Sequence, residues 1–386
     1  MTTITGSRTA PPSSEHRVPQ VDESPRTWVR SLEDLPAHAA PEVRRTLASS
    51  TAEDRLVVLG SLVAAPALAW LLCFRLLPWG TALAFVLTAF VLFLAIVTVT
   101  TAALTPGPAV TDRLAAAAIT GGAVVVAIAL VSTVVFTFAR GAAALPHLNT
   151  FTQDMAGVGP RDPLTSGGVL HAIVGSLIQV GIAIAVTVPL ALGTAVFMTE
   201  VGGRFARLVR TVVEAMTALP SIVAGLFIYT VLLLGLGVPR SGFAAAMALS
   251  VMMLPIIARA ADVVLRVVPS GLREASLALG ASRWRTVWHV VLPTARPGLA
   301  TALILGVARG IGETSPVLLT SGASSFLVAN PVGGSMNSLP LFVFSAVRSG
   351  EPIYIQRGFA AAAILLVIVL ILFVVARRLA KPRNAR

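Results

Sequence analysis

Arg309 and Glu313 stand four residues apart in an otherwise apolar stretch, a spacing that sets a guanidinium and a carboxylate on one face of a helix. An arginine near the middle of a bilayer costs about 2.5–3.5 kcal/mol on insertion scales, so in a membrane helix both groups should face the bundle interior and each other. Two uses fit that pattern. The pair can be a neutralised structural contact that holds helices together. Alternatively, Arg309 can meet an anion in transit: its planar fork of donors suits a tetrahedral oxyanion, and the neighbouring carboxylate can hold it in place between passages. Ser221 and Thr314 offer hydroxyls that can line the same path or bond across helices, and packing is the commoner use of such residues in membranes. Covalent chemistry has little to stand on. Five histidines (His16, His38, His147, His171, His289) are scattered without ligand-like spacing, Cys73 is the single cysteine, and no HExxH, GxSxG or P-loop pattern occurs. Neither a metal site nor a cofactor bound by this chain is expected.

The elements that position these residues are built from an unusual composition. Of 386 residues, 56% are hydrophobic and 12% charged, with a mean hydropathy of +0.86; a soluble domain carries about twice that charged fraction. Crossing about 30 Å of hydrocarbon takes a helix of roughly 17–25 residues. Eight stretches reach or approach that length: 56–77, 81–105, 114–138, 170–198, 211–236, 242–258, 298–320 and 355–376. Continuous apolar runs suit helices, whose backbone bonds close within the segment, far better than barrel strands. An all-α polytopic transmembrane helix bundle follows. The first two stretches are joined only by Pro78, Trp79 and Gly80, and the sixth contains Pro255, so these also fit a re-entrant unit or a broken helix. Pro220 and Pro255 can bend their helices at a gate or be ordinary tolerated membrane prolines. Residues 1–55, rich in proline and charge, read as a flexible cytoplasmic tail and not as a signal peptide, because no apolar run follows a short basic start.

Lysines and arginines in short loops set the orientation. With eight spans both termini share a side. That side would hold fifteen cations, from Arg113 through Arg204, Arg207, Arg210 and the six arginines of 259–297 to the five of the basic end at 377–386, against five (Arg140, Arg161, Arg240, Arg348, Arg357) on the other. The asymmetry puts the termini and the long 259–297 loop in the cytoplasm. It also gives the net charge of +12 a topological origin, which weakens a nucleic-acid reading.

Within that loop, Ser270–Pro297 reads as two short helices. Ser270 can cap the first, Glu274 sits in its opening turn, and Gly280 can take the left-handed conformation that ends it. Ser282 can cap a second helix whose residues Trp284, Val287, Trp288 and Val291 form one apolar stripe, until Pro293 stops it. A DNA-binding helix-turn-helix shares a small-residue turn and basic surface, but membrane anchoring on both flanks is a poor setting for groove docking. The residues resemble the EAA loop of binding-protein-dependent ABC importer permeases: Glu274-Ala275-Ser276, Gly280 after three residues, and Val290, Leu292 and Pro293 after nine more, with Ser and Val as mild departures. The resemblance implies that Glu274, Ala275, Ser276, Gly280, Trp284, Trp288 and Pro293 belong to a coupling helix seated in a cytoplasmic ATPase.

Three further segments narrow the family. Leu219–Phe227 (LPSIVAGLF), Ala308–Pro316 (ARGIGETSP) and Asn337–Pro340 (NSLP) resemble the PSIV, GETAP and SLP segments of the phosphate-importer permeases of the PstA family. The resemblance covers roughly 114–380. It implies a type I importer permease core of six spans at 106–380, with two additional helices at 56–105, in a bacterial inner membrane. It further implies a pore-forming subunit that passes inorganic phosphate inward, partnered by a PstC-type second permease, an external phosphate-binding protein and a separate ATPase that uses ATP and magnesium. Arg309, Glu313, Thr314 and Ser221 would then lie on the substrate pathway. A permease for sulfate, molybdate or another oxyanion is the alternative in the same class; a membrane regulator or an intramembrane enzyme is the alternative outside it.

Overall fold

The computed structural model describes residues 52–77, 81–104 and 108–380, so the expected tail before Ala52, the Pro78–Gly80 turn and the basic end at 381–386 lie outside the described residues. Every element among the described residues is helical. Two compact units divide at Gly121 and Gly122.

In the first unit, α1 (Ala52–Leu71) runs into a π-turn at Leu72–Leu76 and packs on α2 (Ala82–Leu104). Residues 52–55, expected in the tail, therefore begin a helix. Ser61, Ala65, Ala69 and Cys73 recur every four residues and are all buried, so α1 turns one narrow face of small residues to its partner while leucines and valines cover the rest. Both helices are long and apolar enough to cross a membrane separately. The next helix, α3 (Pro108–Gly141), contains the boundary between the units.

The second unit continues with α4 (Asn149–Thr152) and α5 (Leu170–Val196), which ends in a π-turn at Phe197–Val201. After these come α6 (Gly203–Thr217), α7 (Ser221–Ile228) with a π-turn at Tyr229–Gly235, and α8 (Gly242–Arg266). Then follow α9 (Ser270–Ala278), α10 (Arg283–Thr286), a π-turn at Val287–Val291, α11 (Leu292–Ile311), α12 (Ser315–Thr320), α13 (Leu339–Arg348) and α14 (Pro352–Ala380). Its centre is α8, whose Ala245, Leu249, Met253 and Ile257 are buried against α5 and α11. Gly306 and Gly310 of α11 let it approach closely, because a Cβ on either would run into Ile257 or Met253.

Among the described residues, seven helices are long and apolar enough to cross a membrane, and an eighth span is completed only by a bent pair. Three expected boundaries change. The stretch 211–236 is not one rod: α6 and Ser221–Gly235 meet at 107°. Pro220 cannot donate to a helical carbonyl and holds an extended backbone, so the break falls there. Pro255, by contrast, leaves α8 continuous, and the helix runs to Arg266, well past the expected 258. The stretch 298–320 is interrupted after Ile311, so that α12 is a separate short helix.

At the far end of α5 from the π-turn, the loop 153–169 and the segment 321–338 are tied together. Met155 N donates to Ser325 O at 2.8 Å. The Asp154 carboxylate accepts from Leu327 N at 2.9 Å and Ala156 N at 3.1 Å, amides that hold its pKa below the ordinary carboxylate value. Arg357 is buried, 3% exposed, and its guanidinium donates to the carbonyls of Asp162 (3.1 Å), Pro163 (2.7 Å) and Ser166 (2.7 Å). A buried cation held by carbonyl dipoles fixes the loop to α14. His171 is buried with its ring edge-on to Phe342 at 5.4 Å.

Candidate functional site

Arg309 lies in the last turn of α11, and Gly310 beside it allows the tight packing on α8 that sets its position. Its Nη2 is 3.6 Å from Oε1 of Glu313, so the structure joins this expected pair. The two partners differ in surroundings: the Arg309 side chain is 60% exposed and that of Glu313 only 13%. The guanidinium therefore opens into a space while its counter-charge is held back in the protein. That space is a cavity of about 300 Å³ lined by Met216, Thr217, Leu219, Ala224, Met252 and Arg309, among others. Its walls come from α6 and the break after it, from α7, from α8 and from α11. Arg309 is the only charged residue in that lining. A lone guanidinium in a cavity lined otherwise by uncharged side chains favours an anion with several acceptor oxygens.

Ser221 and Thr314 are both half-buried, and neither lines this cavity. They flank a close helix crossing instead: a Cβ on Gly225 would come within 2.7 Å of the Pro316 backbone, where α7 meets α12. The structure thus brings Arg309 and Glu313 together and leaves the two hydroxyls aside.

The elbow forms at α9 and α10, with corrections. Pro269, not Ser270, occupies the cap position of α9, and Glu274 sits beyond the first turn. Gly280 has φ +82 and ends α9 as expected. Ser282 accepts from Arg285 N at 3.4 Å and caps α10. Pro293 does not stop the second helix. The wider π-turn at Val287–Val291 precedes it, and Pro293 falls in the opening turn of α11, where a missing N–H is harmless, so Arg283–Ile311 runs as one helical piece. The expected apolar stripe also divides. Val287 and Val291 are buried, whereas Trp284 and Trp288 are 65% and 52% exposed and stack edge to face at 5.6 Å. Glu274 and Ala275 are exposed with them. Ser276 points the other way, its Oγ 2.9 Å from Thr286 Oγ1, so the serine in the third motif position bridges the two elbow helices.

Sequence reasoning passed over two charge clusters, one anchoring this elbow and one binding the helices beside it. Arg273 of α9 donates to Glu200 Oε1 at 3.1 Å, to Val268 O at 2.8 Å and to Leu265 O at 2.8 Å, tying the elbow to the π-turn after α5 and to the end of α8. Asp262 of α8, 6% exposed, receives Arg210 Nη2 at 3.2 Å, Arg266 Nη2 at 3.1 Å and Thr199 Oγ1 at 3.1 Å. The one acidic residue of α8, four positions before Arg266, was a signal for the second cluster. Nothing local pointed to the first.

Residues 169–383 match the family of binding-protein-dependent transport system inner membrane components. The chain is 40% identical over 240 residues to phosphate transport system permease protein PstA 1 of Mycobacterium tuberculosis (strain CDC 1551 / Oshkosh), covering 62% of this chain and 78% of that protein. It is 32% identical over 227 residues to phosphate transport system permease protein PstA of Haemophilus influenzae, covering 58% of this chain and 78% of that protein. A chain of the MetNI methionine ABC transporter in an inward-facing conformation aligns with a TM-score of 0.43 and 20% identity, over 55% of this chain and 93% of that one.

Proposed function

We propose, on the premise that this chain belongs to the binding-protein-dependent transport system inner membrane components and within them to the PstA permeases, that it is the pore-forming permease subunit of an ATP-driven phosphate importer. The observation that carries the pathway is the single guanidinium of Arg309 exposed in a cavity between α7, α8 and α11. Phosphate in transit replaces part of the hydration of that guanidinium and leaves it again because Glu313 competes for the same donors. The chain is a multi-pass inner-membrane protein, and in this reading both termini and the elbow are cytoplasmic. A separate ATPase chain supplies the ATP and magnesium chemistry, an external protein delivers phosphate, and a PstC-type permease completes the pore.

Coupling follows from the helix that joins the two sites. Trp284 and Trp288, with Glu274 and Ala275, form the exposed surface that enters the ATPase, and Arg283–Ile311 is helical from that surface to the cavity. At 1.5 Å per residue, Trp284 and Arg309 are about 37 Å apart along it. Movement of the elbow is therefore handed directly to Arg309.

The reading is tested by purifying the importer and measuring ATP hydrolysis with its binding protein loaded with phosphate or with sulfate. Stimulation by the phosphate-loaded form alone is expected; equal stimulation by sulfate would move the substrate to oxyanions in general. Thiol labelling of Arg283→Cys in intact cells, after Cys73→Ser, should require a membrane-permeant reagent. A second measurement concerns Gly280. A side chain in the left-handed region costs about 1–2 kcal/mol, and asparagine pays least among the rest. Gly280→Val should insert normally and bind the ATPase about tenfold more weakly, whereas Gly280→Asn should retain most of the association. Unchanged ATPase binding in the valine variant would remove the coupling role of the turn.

A further inference from the structure

The helix α6 meets the apolar segment it leads into at 107°, and its neighbours leave half of it uncovered. The chain leaves the spanning segment Leu170–Val201 through Gly202 and Gly203, at φ +67 and +84, a reversal that side chains with a Cβ resist. The helix that follows is strongly amphipathic. Its inner side is pinned: Ala206 and Val213 are buried, Arg210 reaches Asp262, and Glu214 pairs with Arg259 of α8 at 3.7 Å. Those contacts fix its rotation. On the opposite side Phe205, Leu208 and Val212, at i, i+3 and i+7, stay 65%, 57% and 50% exposed, Phe205 with one edge against Phe197 at 5.7 Å. Beside that stripe stand Arg204 and Arg207, both exposed and without an ion-pair partner among the described residues. After Thr217 the chain bends by 107° into Ser221–Gly235, so α6 lies across the direction of the apolar helix it leads into.

A helix with an apolar stripe edged by cations, set steeply against a spanning helix, has the pattern of one lying in the bilayer–water interface. Facing water alone, three large apolar side chains would stay wet; two uncompensated guanidinium groups call for anionic partners, and a phospholipid surface supplies both surroundings at once. We propose that α6 rests in the headgroup layer, with Phe205, Leu208 and Val212 among the upper acyl carbons and Arg204 and Arg207 on the phosphate groups of anionic phospholipids. The lipid surface then steadies the joint formed by the end of α5, α6 and α8, against which the elbow is braced through Glu200. This inference needs only that the chain spans a membrane and is independent of which solute passes through it.

The test uses the full-length protein with its co-purifying subunits in nanodiscs, carrying Cys73→Ser and a bimane fluorophore on Leu208→Cys. Doxyl-labelled phosphatidylglycerol should quench the bimane at about a tenfold lower lipid fraction than doxyl-labelled phosphatidylcholine. Arg204→Gln with Arg207→Gln should abolish that preference, and Arg204→Lys with Arg207→Lys should keep it. Adding inorganic phosphate should leave the quenching unchanged, which separates a lipid phosphate from the free ion. Absence of quenching by either lipid, as for a face in water or under another subunit, would overturn the proposal, and so would equal quenching by both.

Discussion

Arg309→Gln combined with Glu313→Gln is expected to leave an assembled importer with basal ATP hydrolysis and a loss of phosphate uptake on the order of tenfold to a hundredfold. The size follows from removing charge-assisted hydrogen bonds to an anion, each contributing about 1.5–3 kcal/mol. The geometry argues against a purely structural pair. Such a pair would bury both partners, whereas the Arg309 side chain is 60% exposed and only Glu313 is held in protein. The single variants separate the roles. Arg309→Gln leaves the sheltered carboxylate uncompensated and should lower assembly as well as uptake, while Glu313→Gln frees the guanidinium and should slow release of the anion more than its capture. Uptake by the double variant within twofold of the unaltered importer would show that the charges are structural and that phosphate passes elsewhere.

Arg273→Met is expected to break the link between the two machines: stimulation of ATP hydrolysis by the phosphate-loaded binding protein should fall at least about tenfold, with basal hydrolysis retained. Arg273 joins α9 to Glu200 and to two carbonyls at the end of α8, and its side chain is 21% exposed. Removing one partner of a fully buried ion pair costs about 3–5 kcal/mol, and partial exposure reduces that to roughly 2 kcal/mol here. That energy is lost at the hinge of the elbow and not in the core around α8, so the protein should still insert and remain monodisperse on size exclusion. Arg273→Lys keeps a charge for Glu200 but lacks the fork that reaches the carbonyls, and should fall between. Full stimulation in Arg273→Met would mean that the elbow is held by its backbone alone.

The two predictions rest on residues of different legibility. Arg309 and Glu313 were visible in the sequence because a helix places i and i+4 together whatever surrounds it. The same local rule exposed the left-handed glycine at 280, the cap at Ser282 and most of the spans. Glu200 and Arg273 are 73 residues apart, and Arg210 and Asp262 are 52 apart. Pairing over such separations is decided by how helices pack, and periodicity in one segment carries no information about it.

By itself, then, the sequence determined that the chain is an all-helical membrane protein, where most of its helices run, and that a capped elbow and a charged pair interrupt an apolar pattern. Those properties depend on hydropathy, spacing and turn chemistry, all of them short-ranged. Tertiary structure decided the rest. Docking the elbow split one apolar stripe into buried valines and exposed tryptophans, because only packing chooses which side of a short helix meets the protein. The break at Pro220 turned the first part of an expected span into a helix lying across its successor. The approach of α11 to α8, permitted by Gly306 and Gly310, left one guanidinium facing an open cavity and its carboxylate sheltered, a difference in solvation that no linear spacing encodes.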